Sequence, residues 1–199
     1  MAKITTVIFD FYNTIMVNPE LTLMDMVNFK RLHAKDKIEF KKISALCNEG
    51  KVSISTYLRE LKKIFRLPGT IKQLRFMFDH TAFIEPSWLI FRQLSKNYKT
   101  AILTNDGRGG ARSSARTAGI TLPKNFFSSS EIGLTKPDPK IYKYVLQKLD
   151  SKPESTVYID DDLKNVKAAR KLGINAIQFD GNISKLLAAL NKLGIKVRI

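Results

Sequence analysis

The chain opens on a short apolar run that stops at a carboxylate. Ile4, Val7, Ile8 and Phe9 are β-branched or aromatic and nearly continuous, the pattern of a strand buried on both faces of a parallel sheet, and Asp10 follows at its end. From about Leu21 to His80 the spacing becomes helical. The sets Leu21-Leu23-Met26-Val27-Leu32, Phe40-Ile43-Leu46-Cys47, Tyr57-Leu58-Leu61-Ile64-Phe65 and Ile71-Leu74-Met77-Phe78 each place apolar side chains on one face. They predict four amphipathic helices, with Met24, Met26 and Met77 as core filler. Breaks fall at Asn48-Glu49-Gly50 and Leu67-Pro68-Gly69, and Ser53 or Ser55 can cap the third helix.

After Pro86, helices and strands alternate. A helix through Trp88, Phe91 and Leu94 leads to a strand at Lys99 to Thr104, then to a helix from about Ala111 to Ala118 that Gly119 stops. Further strands are predicted at Asn125 to Ser128, Thr156 to Ile159 and Ile174 to Phe179. Helices are predicted at Lys140 to Leu149, Asn165 to Leu172 and Ile183 to Leu193, and Lys196 to Ile199 can add an edge strand. This alternation argues an α/β fold, a doubly wound parallel Rossmann-like sheet formed by residues 1–16 and 84–199, with 17–83 inserted as a small helical bundle.

Composition narrows the class. At 199 residues and 44% hydrophobic content the chain can bury a substantial core. The single cysteine, Cys47, cannot pair within the chain, no signal-like apolar stretch opens the sequence, and no apolar run is long enough to span a bilayer. A cytoplasmic protein without a membrane partner is therefore expected. His33 and His80 lie far from any cysteine cluster, which argues against a zinc site. The net charge of +16 is the unusual feature, yet the basic residues are spread along the chain without an arginine-rich tail or an aromatic-basic signature. The charge favours anionic partners; a generally basic proteome or attraction for anionic small molecules explains it as well as nucleic-acid binding does, and specific nucleic-acid recognition is not expected. Nothing in the sequence sets the oligomeric state.

Taken alone, Asp10 is equally well a turn cap. The strand ends together say more. Asp10, Thr104-Asn105 and Asp160-Asp161 all fall at the edge where open α/β sheets bind ligands, and Lys136 joins them from the loop Gly133 to Pro139. Clustered carboxylates demand large pKa perturbations or a cation, and all-oxygen ligation implies magnesium. A lysine, a hydroxyl and an amide beside that ion suit a phosphate. The competing explanation is three unrelated helix caps and a solvated lysine.

Four segments, in order, resemble the motifs of the haloacid dehalogenase-like hydrolases: Phe9 to Thr14, Leu103-Thr104-Asn105, Lys136-Pro137-Asp138-Pro139 with Ile141-Tyr142, and Ile159-Asp160-Asp161 with Asn165. The resemblance spans nearly the whole chain, and the helical stretch is similar to the cap of the subgroup whose insertion lies between the first two motifs. It implies Asp10 as nucleophile, Thr104, Asn105 and Lys136 around the substrate's anionic group, and Asp10, the Tyr12 carbonyl and Asp161 as magnesium ligands, with Asp160 as a ligand or support. Thr14 supports the turn or is equally a simple turn residue, and Asp106, Arg108 and Arg112 are expected to form a solvated loop and helix face rather than to face the substrate.

One position departs from the pattern. Family phosphatases usually carry a general acid two residues after the nucleophile, where this chain has Tyr12, whose phenol is poorly matched to acid-base work near pH 7. Tyrosine there resembles the 2-haloacid dehalogenases, whose halide leaves without a proton. The acidic pair Asp160-Asp161 resembles the magnesium-dependent phosphatases instead. The favoured expectation is a magnesium-dependent phosphatase of small phosphorylated metabolites, slow for lack of the acid. The alternatives are a metal-independent 2-haloacid dehalogenase and a binding or regulatory protein that turns nothing over.

Overall fold

A computed structural model describes residues 2–197. Its five strands are β1 (Thr6–Phe9), β2 (Lys99–Thr104), β3 (Phe126–Ser128), β4 (Thr156–Asp160) and β5 (Asn175–Gln178), joined in one parallel sheet ordered β3-β2-β1-β4-β5. The chain builds outward from β1 on one side, then crosses to the other, so the switch point lies between the C-terminal ends of β1 and β4. Phe9 pairs with Ile102 and Ile159, which sets Asp10 level with Leu103 and Asp160.

Strand alternation divides the side chains between two cores. Val7, Phe9, Ile102, Val157 and Ile159 pack against α5 (Glu85–Leu94), α6 (Gly110–Thr117) and α10 (Ile183–Lys192). Ile8, Ala101, Leu103 and Tyr158 pack against α8 (Pro139–Lys148) and α9 (Leu163–Lys171). Burial on both faces is why β1 reads as a continuous apolar run.

Between the neck residues, α1 (Pro19–Met26), α2 (Ala34–Asn48), α3 (Ile54–Ile64) and α4 (Ile71–Asp79) enclose a third core around Leu23, Phe40, Tyr57, Leu58, Leu61 and Phe78. Three of the four starts carry side-chain caps: Asn18 accepts from the Glu20 amide, Ser53 from the Thr56 amide, and Thr70 with Gln73 makes a reciprocal capping box. The neck is two paired strands of chain, with Val17 N donating to Ala82 O and Ile84 N to Ile15 O, both at 2.8 Å. The helices also rest on the sheet layer. Ser129 Oγ, at the start of the short helix α7 (Ser129–Ile132), donates to Asn48 O at 2.6 Å, and Ser114 Oγ donates to Phe78 O at 3.2 Å.

Several expectations change. The first predicted helix stops at Met26, because Asn28 takes a left-handed conformation and only a 3-10 turn, Phe29–Arg31, follows. Met26 is 69% exposed and fills no core, whereas Met24 and Met77 pack against the helical cluster. The third helix ends at Ile64, ahead of a left-handed Arg66, not at Leu67-Pro68-Gly69. The polar run Ser128-Ser129-Ser130 hid α7. Lys196 and Val197 form no strand, and the rest of that predicted edge lies outside the described residues. Among the described residues no helix is long and apolar enough to cross a membrane.

Candidate active site

At the switch point Lys136 is the hub. Its Nζ donates to Asp10 Oδ1 at 2.6 Å, to Asp160 Oδ2 at 2.7 Å and to Leu103 O at 3.2 Å, and its side chain is 2% exposed. Burial alone would pull the ammonium's pKa down, but the two carboxylates hold it above its ordinary value, so it stays charged. Asp160 is saturated by protein donors. Besides Lys136 it accepts from Tyr158 Oη, from Asn165 Nδ2 and from the Asp162 amide. Burial pushes its pKa up, and Lys136 with the Tyr158 and Asn165 hydrogen bonds brings it below the ordinary carboxylate value.

Asp10 is less well served. Among the described residues no hydrogen bond reaches its Oδ2, and burial, reinforced by Asp160 and Asp161, raises its pKa against the pull of Lys136. Asp161 is half-buried and also raised by burial, its Oδ2 accepting from Asn13 Nδ2 at 2.9 Å. Oxygens of Asp10, Asp160 and Asp161 lie within 4.8 Å of one another and can hold a metal ion. An all-carboxylate donor set fits a hard divalent cation. Asp162, the third of the run, instead caps α9 through the Lys164 amide.

The loops supply the scaffolding. Asn105 is engaged with the main chain of Lys136 in both directions: Nδ2 donates to Lys136 O, and Oδ1 accepts from Lys136 N, each at 2.8 Å. The Asn105 amide thus positions the lysine. Thr104 is fully buried at the cavity wall, its Oγ1 3.5 Å from Asn105 O. Asn13, left-handed at φ 56°, turns the chain after β1 and ties that turn to Asp161 and, through Oδ1, to the Asn18 amide that opens α1. Thr14 is fully buried in the same turn, but no hydrogen bond reaches its Oγ1 among the described residues.

These groups floor a cavity of about 280 Å³ whose roof is made by the helical segment, through Glu20, Cys47, Ile54, Tyr57, Phe78 and Asp79. Sequence reasoning missed this half of the site. It also misplaced Asp106, which is 6% exposed, lines the cavity and accepts from the Ala111 amide at 2.8 Å. Arg108 is exposed as expected, and Arg112 pairs with Glu131 at 3.0 Å over the ring of Phe126. Two glycines permit the close packing. A Cβ on Gly110 would stand 2.5 Å from Asp106 Oδ1, and one on Gly107 would collide with Cys47 Sγ. Tyr12 lines the same cavity; burial raises its phenol well above the ordinary range, with Asp106 and Glu20 adding to the effect.

Known proteins resemble this chain in sequence and in fold. The (S)-2-haloacid dehalogenase 1 of a Pseudomonas species is 26% identical over 84 residues, covering 42% of this chain and 37% of that protein. Mouse bifunctional epoxide hydrolase 2 is 33% identical over 96 residues, covering 46% of this chain, so the match spans only 17% of that longer protein. Among solved structures, an enzyme of the haloacid dehalogenase family from Bacteroides thetaiotaomicron superposes with a TM-score of 0.73 at 17% identity, covering 94% of this chain and 99% of that one. The same enzyme has been solved with magnesium and inorganic phosphate. A family model for haloacid dehalogenase-like hydrolases matches residues 4–173, most of the chain, and the chain belongs to that family.

Proposed function

We propose that this hydrolase removes the phosphate from a small phosphorylated metabolite, with Asp10 as nucleophile and magnesium as cofactor. The observation that carries the reading is the carboxylate cluster of Asp10, Asp160 and Asp161 around Lys136. Halide displacement needs no cation on the leaving group, since the halide leaves as a stable anion, whereas a phosphoryl group gains from one. Magnesium bound to the Bacteroides relative together with inorganic phosphate supports the same reading. The cavity volume lies at the small end of ligand sites, which suits a metabolite rather than a polymer.

Asp10, the Tyr12 carbonyl and Asp161 would hold the ion, while Asp160, already saturated, holds Lys136 in place. When bound, magnesium supplies positive charge to the phosphoryl oxygens. Asp10 attacks phosphorus through the oxygen that Lys136 leaves open; a P–O bond to Asp10 forms as the P–O bond to the leaving alcohol breaks. Thr104 and Lys136 neutralise and orient the phosphoryl group. The departing alkoxide takes a proton from water, because the Tyr12 phenol is too weak an acid to donate efficiently. Water then attacks the acyl phosphate, releasing phosphate and restoring the carboxylate.

Tyr12 favours a second reading, a 2-haloacid dehalogenase in which Asp10 displaces halide and no proton donor is required. A panel of phosphorylated metabolites and 2-haloacids, assayed with magnesium and with EDTA, separates the two. Turnover confined to phosphate esters and lost in EDTA supports the first. Turnover confined to haloacids and indifferent to EDTA overturns it.

A further inference from the structure

The roof of the cavity is chemically unlike a surface built for anions. Six carboxylates line the cavity against one lysine, and that lysine is committed to the floor. Asp79 is neutralised by Arg75 at 2.7 Å, whereas among the described residues no ion pair involves Glu20 or Asp106. Glu20 Oε1 accepts from the buried Tyr57 hydroxyl, and Asp106 Oδ2 accepts from the Ala111 amide. No hydrogen bond among the described residues reaches Glu20 Oε2 or Asp106 Oδ1, although Asp106 is 6% exposed and both side chains border the cavity.

We infer that this end of the cavity, bounded by Glu20, Asp106 and Tyr57, binds a cationic amine on the leaving group, so that the substrates are phosphate monoesters of small amino alcohols. The inference rests on the phosphatase reading and extends it to the leaving-group side. Buried carboxylates without a counter-charge are costly, and a ligand that supplies both charge and donors offsets that cost best. An ammonium offers three N–H donors and a full positive charge; a hydroxyl offers one donor and none. Phe78, Ile54 and Tyr57 give the intervening methylene chain an apolar and aromatic wall. The cavity, about 280 Å³, holds a small ester and no more.

Three isosteric esters test it: 3-aminopropyl phosphate, 3-hydroxypropyl phosphate and n-butyl phosphate, assayed with the full chain at saturating magnesium. The amine should exceed the butyl ester in kcat/KM by about 30-fold, the scale of one or two charge-assisted hydrogen bonds. In Asp106→Asn and Glu20→Gln that ratio should fall to about threefold or below. Equal rates for all three esters in the wild-type chain, or a hydroxyl ester as good as the amine, would overturn the subsite while leaving the phosphatase reading intact. A preference that survives in both variants would overturn it too. If no ester turns over, calorimetry of the same esters on the magnesium-loaded chain decides: tighter binding of the amine upholds the subsite while the phosphatase reading falls, and equal binding refutes the subsite.

Discussion

Lys136→Met tests the electrostatics of the floor without reference to any substrate. The substitution keeps the apolar stem and removes the ammonium that bridges Asp10 and Asp160 at 2.6 and 2.7 Å in a site where all three side chains are at most 8% exposed. Removing one partner of a buried ion pair costs about 3–5 kcal/mol, because the remaining charge is left uncompensated. For a chain of 199 residues each kcal/mol moves Tm by roughly 2–4 °C, so a fall of roughly 6–20 °C is expected in EDTA at pH 8. The loss should shrink toward pH 5. Without the lysine the two carboxylates behave as a dyad that holds a proton more tightly folded than unfolded, so the folded state gains protons, and stability, as pH falls. Magnesium at about 100 times its Kd should return about 2.7 kcal/mol, since the carboxylates regain a cation. Differential scanning calorimetry at pH 5 and pH 8, with EDTA and with magnesium, measures all of this. A variant whose Tm stays within about 2 °C of the parent at pH 8 in EDTA would refute the claim that Lys136 balances the buried carboxylates.

Three further outcomes follow from particular contacts. Magnesium affinity by calorimetry should collapse in Asp161→Ala and weaken less in Asp160→Ala, because Asp160 spends its oxygens on protein donors; identical loss in both would remove that distinction. Asp106 is pushed up to about 7 by burial, so between about pH 4 and pH 7 the folded state holds a proton the unfolded state has lost, and stability declines as pH rises through that window, by up to about 4 kcal/mol. Asp106→Asn keeps an acceptor for the Ala111 amide and should flatten the decline of Tm between pH 5 and pH 8; an unchanged profile counts against a titrating Asp106. Tyr12→Asp, at saturating magnesium, should raise turnover of esters with poor leaving groups by about 10²-fold and of activated aryl phosphates by less; equal effects on both would dismiss the missing proton donor.

What the sequence discloses and what it conceals have different physical origins. Strands buried on both faces announce themselves as apolar runs, and in a parallel sheet their C-terminal ends must share one edge, so Asp10, Thr104, Asp160 and Asp161 could be grouped before any coordinates. Asn105 could be placed at that edge as a group facing the substrate, but its engagement with the Lys136 main chain could not be read, because it depends on how two loops meet. The roof was concealed for the same reason. Glu20 in α1 looks like a helix-start acid, and it is one; its contact with Tyr57, 37 residues away, exists only once α1 and α3 pack. Asp106 reads as a polar loop residue until the glycines at 107 and 110 let the loop close against the helices. Met26 failed in the opposite direction, since an eight-residue helix with a weak apolar stripe leaves one end in solvent.

The charge distribution joins floor, roof and surface into one argument. Among the described residues Lys136 is the one basic side chain that lines the cavity, so the rest of the positive charge lies outside it, where it can draw anions toward the mouth over a Debye length of about 8–10 Å. Inside, the sign reverses. With Asp10, Asp160 and Asp161 ionised against one ammonium, the floor carries a formal charge of −2, and a phosphate dianion arriving alone would meet net repulsion at short range. A divalent cation brings that floor to neutrality and makes the dianion's approach favourable. A haloacid carboxylate, bearing one charge and no metal, would have to enter the same acidic floor with only Lys136 to receive it, and Lys136 already serves two carboxylates. On the phosphatase reading the acidic interior of a basic protein is therefore a coherent design: the surface gathers the anion, the metal admits it, and the unpaired carboxylates of the roof are left to recognise the opposite charge at the other end of the molecule.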